Sequence, residues 1–385
     1  MTPAPAICAR ASSSTAISRA AVHYGRTFDA SFAPDLAVWA PGAIEAGAEG
    51  DEVDVLVTCG EDSRARVMRC DSRGVTDVGT CRGHDGEVLR VAFGARDGAF
   101  ATASADGSCK MWRLGRALAE STTSGDVVVE CVQTLDEHPG EVYGCCFMDD
   151  VKMGTIATCS ETEVYCIDVE TKTRLGASKR EESDKENVAA STPDRWSPGY
   201  LFSMTRSQEL GVLACGCSDG AIRVYSDGAR GGGFGDVVAV ATPHPNAIVG
   251  TTMFIDDGRV LASVGLDGTI ALTDTRTWGM FRRISSGTPL MSACGIGGGW
   301  LGMVGSAGVV RAIDAVYDEA SPACVFIPPV DPLVPLFCVA ANARGTRLAC
   351  AGAGVPVATP ALAAAFGVKR PDPSRLDVWT VSRDE

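Results

Sequence analysis

From Val53 to Val381 the chain alternates short apolar runs with tight polar turns. No run approaches the roughly eighteen apolar residues that a membrane-spanning helix needs. The unit is clearest over residues 83–112, GHDGEVLRVAFGARDGAFATASADGSCKMW. Val88, Val91 and Phe93 alternate with polar neighbours, Phe100 to Ser104 is a second run, Asp106-Gly107 forms a turn, and a third run ends on Trp112. Alternation at a period of two, bounded by Gly and Asp, predicts three antiparallel strands.

The unit recurs. EHPGEVYGCCF from Glu137 aligns without gaps on GHDGEVLRVAF from Gly83, and Thr155 to Cys159 and Val164 to Val169 follow as strands. Val212 to Cys217, Ser218-Asp219-Gly220 and Ala221 to Tyr225 repeat strand, turn and strand. So do Val260 to Val264, Asp267-Gly268 and Thr269 to Asp274, and Trp300 to Val304, Ser306 to Gly308 and Val309 to Asp314. An earlier copy reads Leu36 to Trp39, Val53 to Thr58 and Ala65 to Arg69. A last one reads Leu348 to Ala351 and Leu376 to Val381, split by an insertion at 352–375 that includes an Ala-rich patch, Ala361 to Phe366. Val127 to Leu135 and Val237 to Ala241 read as outer strands, the second placed at the start of the unit around His244. Residues 179–198 are charged and then Ser-, Thr- and Pro-rich, with no periodicity, which marks a solvated loop.

The spacing holds phase. His84 precedes Asp106 by 22 residues and His244 precedes Asp267 by 23; His138 and His244 precede Asp168 and Asp274 by 30 each. With Gly83-His84 at one end and Trp112 at the other, the unit resembles a WD repeat, the building block of a β-propeller blade. At about 40–45 residues per blade, 385 residues fit one seven-bladed propeller with insertions and tails. The resemblance implies an all-β fold of four-stranded antiparallel blades over residues 16–381, flanked by tails at 1–15 and 382–385. Ala16 to Phe28 is expected to supply the outer strand that the last blade lacks, closing the ring and covering an open edge.

Within the family, His84, Ser104, Asp106 and Trp112 would form a structural tetrad rather than a catalytic set: the turn Asp orients the His, the His reaches the strand hydroxyl, and the hydroxyl meets the indole N–H. His138 and His244 would head incomplete sets, with Glu161 near the place of the Asp in one and Thr273 in the place of the Trp in the other.

Composition narrows the function. A net charge of −14 argues against nucleic acid as the main ligand. Sixteen Cys lie mostly inside apolar strand runs, with no CxxC pair and no zinc-site spacing, so they read as small buried side chains in a reducing compartment. No phosphate-binding loop, GxSxG element, HExxH or EF-hand loop occurs, and no cofactor or metal is expected. The expected location is cytoplasm or nucleus. Residues 1–28, with Arg10, Arg19 and Arg26 and no Asp or Glu, also have the composition of an organelle-import peptide.

A rigid disk with a central channel and loop-lined faces suits a non-enzymatic scaffold that binds a partner peptide or subunit. Glu87, Arg90, Glu141, Tyr143 and Asn246 are the expected contact residues, on the face where the loops before each first strand gather. A second reading rests on Leu261 to Arg276, LASVGLDGTIALTDTR, which resembles the box by which some WD-repeat proteins dock the adaptor of a cullin-RING ubiquitin ligase. Asp267, Asp274 and Arg276 fit it; Thr273 departs from its aromatic position.

Overall fold

The computed structural model describes residues 18–24, 26–33, 53–71, 74–94, 98–114, 127–148, 154–178, 199–297, 300–314, 324–326, 335–352 and 373–380. Among them the chain forms seven sheets, antiparallel except for one short added strand, and no helix. Each sheet is one blade of a propeller.

Blade one is β2 (Thr27–Phe32), β3 (Asp54–Gly60), β4 (Ala65–Asp71) and β5 (Gly74–Cys81). Blade two is β6 (Val88–Phe93), β7 (Ala99–Ser104), β8 (Cys109–Arg113) and β10 (Glu130–Leu135); the short β9 (Val127–Val128) joins blade one instead, parallel to β5. Blade three is β11 (Val142–Phe147), β12 (Thr155–Ser160), β13 (Glu163–Asp168) and β14 (Arg174–Ala177). Blade four is β15 (Leu201–Ser207), β16 (Val212–Cys217), β17 (Ile222–Ser226) and β18 (Val237–Ala241). Blade five is β19 (Val249–Ile255), β20 (Val260–Gly265), β21 (Thr269–Asp274) and β22 (Gly279–Ser285). Blade six is β23 (Leu290–Gly297), β24 (Trp300–Gly305), β25 (Val310–Asp314) and β26 (Cys324–Phe326). Blade seven is β27 (Leu336–Ala341), β28 (Arg347–Gly352) and β29 (Pro373–Thr380), with β1 (Ser18–Tyr24) antiparallel to β29 on its outside.

The first strands pack one against the next, from β2 to β6, β11, β15, β19, β23 and β27, and β27 packs against β2 again. They are the staves around the central channel. The second strands are fully buried: β3, β7, β16, β20 and β24 expose no residue on either face. A strand covered on both sides needs no polar face, which is why these segments read as continuous rather than alternating apolar runs. Clusters such as Leu261 with Val249, Ile222 and Val224 join neighbouring blades, so the core is a series of inter-blade seams.

Three boundaries differ from the sequence reading. The first strand of blade one is Thr27–Phe32, not Leu36 to Trp39, which falls outside the described residues. The segment 16–28 therefore serves two blades: Ser18–Tyr24 in blade seven and the residues from Thr27 in blade one. Val237–Ala241 is the outer strand of blade four, not part of blade five, because it pairs with β17. The charged stretch 179–198 and the Ala-rich patch lie outside the described residues.

Candidate functional site

Two sets of side chains repeat from blade to blade. One ties each blade internally; the other rings the channel mouth.

The internal set centres on a buried hydroxyl of the second strand. His84 Nδ1 lies 2.8 Å from Asp106 Oδ2, and His84 Nε2 lies 2.8 Å from Thr102 Oγ1. Trp112 Nε1 donates to the same Thr102 oxygen at 2.8 Å. The hydroxyl is thus Thr102, not Ser104. Ser104 Oγ instead donates to the Glu87 carbonyl at 2.8 Å and accepts from the Asp106 N–H at 3.2 Å, holding the turn. Burial alone would raise the Asp106 carboxyl, but the Ser108 hydroxyl and His84 outweigh it and hold its pKa down to about 2. Burial lowers the His84 pKa despite Asp106, so the ring is neutral at pH 7.

The same hydroxyl position recurs in register. His244 Nε2 meets Ser263 Oγ at 2.8 Å while Asp267 lies 3.1 Å from Nδ1. Thr273 stands where blade two has Trp112, and its buried hydroxyl has no partner among the described residues. His138 Nε2 meets Thr158 Oγ1 at 2.8 Å, but its Nδ1 faces the Gly107 carbonyl of blade two at 3.1 Å. Glu161 does not take the Asp role; it packs beside Gly140. A fourth set was missed from sequence. His23, on β1, lies 2.6 Å from Asp62 Oδ1 and 3.0 Å from Thr58 Oγ1. Each of the four His is thereby hydrogen-bonded through both ring nitrogens within these sets.

The second set follows from a kink. Each first strand carries a one-residue bulge against its neighbour, at Phe28, Leu89, Tyr143, Phe202, Gly250, Met291 and Phe337 in blades one to seven. A bulge re-aims a side chain out of the regular alternation. All seven positions are half-buried, and they sit at the strand ends next to the inter-blade loops. They form a mostly apolar collar. Phe28 meets Phe337 edge-on at 6.3 Å, and Tyr143 lies 4.9 Å from Phe202, with Tyr200 behind both. The Arg26 guanidinium sits 5.2 Å over the Phe28 ring. In blade five the position is Gly250, where an added Cβ would come 2.4 Å from the Met291 carbonyl.

The expected contact residues divide on this frame. Tyr143 belongs to the collar, and its hydroxyl donates to Glu141 Oε2 at 2.8 Å. Arg90 turns inward: its guanidinium donates to the Tyr143 carbonyl at 3.4 Å and the Phe202 carbonyl at 3.1 Å, and lies 3.7 Å from Asp29. Asp29 in turn accepts from the Val91 N–H at 2.9 Å, and burial raises its pKa over the pull of Arg90. Arg90 therefore braces four first strands. Glu87 is half-buried beside the Ser104 hydroxyl, and Asn246 is exposed in a left-handed turn, φ 60°. Asp267 is shared by His244, Thr269 and Arg283, and Asp274 is paired with the exposed Arg276 at 2.6 Å.

Among the described residues no group of three His, Cys, Asp or Glu is arranged to hold a metal. The inner thiols are deeply buried; burial pushes Cys70 and Cys217 up to about 12 and Cys59 well above its ordinary value, so they are poor nucleophiles.

Two stretches, residues 75–113 and 129–168, match the family described as WD domain, G-beta repeat. They coincide with an outer strand plus the three inner strands of blades two and three. A protein named Ribosome biogenesis protein WDR12 homolog, from Chlamydomonas reinhardtii, is 24% identical over 262 residues, covering 65% of this chain and 56% of that protein. The matched stretch is thus little more than half of that relative's length.

Proposed function

Since the chain belongs to the WD-repeat β-propeller family, we propose that it is a non-enzymatic scaffold that grips a segment of another protein at the channel mouth. The collar of bulged residues carries this reading. It offers apolar and aromatic side chains, half-exposed, on a rim stiffened by Arg90 and the His-centred sets. Aromatic anchors on a rigid frame are what concentrate binding energy at an interface. A net charge of −14 favours a basic partner.

The Chlamydomonas relative's name refers to ribosome biogenesis. A scaffold in a multiprotein assembly of that kind, located in the nucleus, fits both the collar and the acidity. The test is affinity purification of the tagged full chain from its own cells, beside Tyr143→Ala and Phe202→Ala. Recovery of a defined set of proteins, lost with the collar variants at unchanged thermal stability, supports the reading. An identical set from wild type and both variants would sink it.

A further inference from the structure

The outer strands repeat a feature of their own. In blades one to five each outer strand also carries a one-residue bulge, and the bulged residue is always large and apolar: Val78, Val132, Leu175, Val238 and Phe281. In blades two to five these side chains stand 46%, 58%, 46% and 56% exposed. In blade one Val78 is only 4% exposed. Among the described residues, blade one is also the one of these five whose outer strand has a further strand, β9, beside it. Val127 and Val128 pair in parallel with Gly79 and Thr80, and the following Val129 is buried in the same cluster as Val78. The chain thus shows, on its own blade one, an added strand pairing with the sheet edge beside the bulged residue, with the next residue in that residue's cluster.

Blade four presents the same edge without a cover among the described residues. β18 reads VVAVA, with Val237, Val238 and Val240 all exposed. Exposed edges are ordinarily guarded by charge. The other outer strands of blades one to five follow that rule, with Asp77, Glu130, Arg174, and Arg282 with Arg283. β18 has no charged residue at all.

We propose that β18 is a docking strand for an extended segment of another polypeptide, which adds as a fifth strand on blade four as β9 adds on blade one. Main-chain hydrogen bonds would give the affinity, and β-branched side chains covering Val238 and Val240 the selectivity. A second copy of the chain is a poor occupant. Two molecules of charge −14 repel, and one short strand edge covers far less than the roughly 1,200 Å² of a stable interface. The same charge selects a segment with basic flanks. This surface is on the rim, away from the collar, and stands whether or not the collar binds.

The experiment uses the full-length protein and a fluorescein-labelled peptide carrying three consecutive valines between lysine-rich flanks, followed by anisotropy and by hydrogen exchange at residues 237–241. Expected are saturable binding, new protection of the amides there that β17 leaves unpaired, and a loss of about tenfold or more in Val238→Lys/Val240→Lys, whose added charges guard the edge. Val132→Lys on blade two and Leu175→Lys on blade three should bind as wild type. Unchanged circular dichroism of the double variant excludes misfolding as the cause of its loss. Absent binding, equal binding to the double variant, or equal loss in Leu175→Lys would overturn the proposal. So would protection, in the protein alone, of those amides of 237–241 that β17 leaves unpaired, showing an edge already covered by its own chain. A peptide-independent dimer abolished by the double variant would overturn it in favour of a second copy.

Discussion

Asn342 Nδ2 donates to Asp54 Oδ2 at 3.1 Å, joining positions 288 residues apart. Asn342 follows the first strand of blade seven and Asp54 opens the second strand of blade one. Arg347 adds its guanidinium to the same carboxylate at 3.0 Å, and the Asn342 side-chain oxygen accepts from the backbone N–H of Thr346 and Arg347. One buried amide thus couples the last blade to the first. Asn342→Ala removes the donor and strands two backbone N–H groups, a loss of about 1–3 kcal/mol. Urea unfolding followed by circular dichroism reads it; an unchanged midpoint would mean the seam is held elsewhere.

Thr102 and Ser104 lie two residues apart on β7, on the same side of the strand, and only one is the hub. Thr102→Val leaves the acceptor nitrogen of His84, Nε2, and the Trp112 N–H facing a methyl, so it should cost about 1–3 kcal/mol for each buried group left unpaired. Ser104→Ala breaks a turn contact at half-buried carbonyls and should cost less. The two variants compared in urea decide the assignment; a larger cost for Ser104→Ala would reverse it.

That pair shows where the sequence stops being legible. Period-two alternation places both hydroxyls on one face, and nothing in the alternation chooses between them. The sets on His84 and His244 stood out because 22 and 23 residues separate each His from its Asp. His23 hides because its Asp62 lies 39 residues on, across a long connection inside blade one. The collar hides for a different reason. A bulge inserts one residue against the register, so a residue-by-residue alternation assigns Leu89 or Phe202 to the wrong face. The ring of seven sheets was legible; what faces the channel mouth depended on the bulges.

Acid should weaken the fold in two stages. Burial lowers the pKa values of His84, His138 and His244 below 6.5, so the unfolded chain binds protons there more readily than the folded one. Stability is then full above about pH 6.5 and is lost as pH falls from that value towards the folded pKa values. Asp106, whose pKa is lowered to about 2, adds a second loss as pH falls from 3.8 through that value. Urea midpoints between pH 8 and 5 should decline below pH 6.5. A flat profile, or one rising into acid, would contradict neutral buried imidazoles.

In blade five, Thr273 buries a hydroxyl with no partner among the described residues, where blade two has a tryptophan. Thr273→Val keeps the shape and the strand preference while removing an unsatisfied polar atom. It should be neutral or stabilise by about 1 kcal/mol. The same change at Thr102 should destabilise, so the pair is its own control. A loss of stability in Thr273→Val would show that the hydroxyl is satisfied, for instance by an internal water.

Gly250 and Gly295 both lie on first strands, in blades five and six, yet they should respond oppositely to alanine. A Cβ at Gly250 would stand 2.4 Å from the Met291 carbonyl oxygen, a backbone atom of the neighbouring stave that cannot swing aside. A Cβ at Gly295 meets nothing within 4 Å, and its φ lies outside the left-handed region. Gly295→Ala should therefore be neutral or stabilise by about 0.4–1 kcal/mol, because alanine narrows the unfolded ensemble. Gly250→Ala must push blades five and six apart at the mouth, at about 1–3 kcal/mol for forced overpacking. It also alters the one place where the collar has no side chain. If the partner enters through that gap, Gly250→Ala will reduce recovery of the purified complex by more than its loss of stability accounts for. Parallel unfolding curves and quantitative pull-downs of both variants separate the two effects.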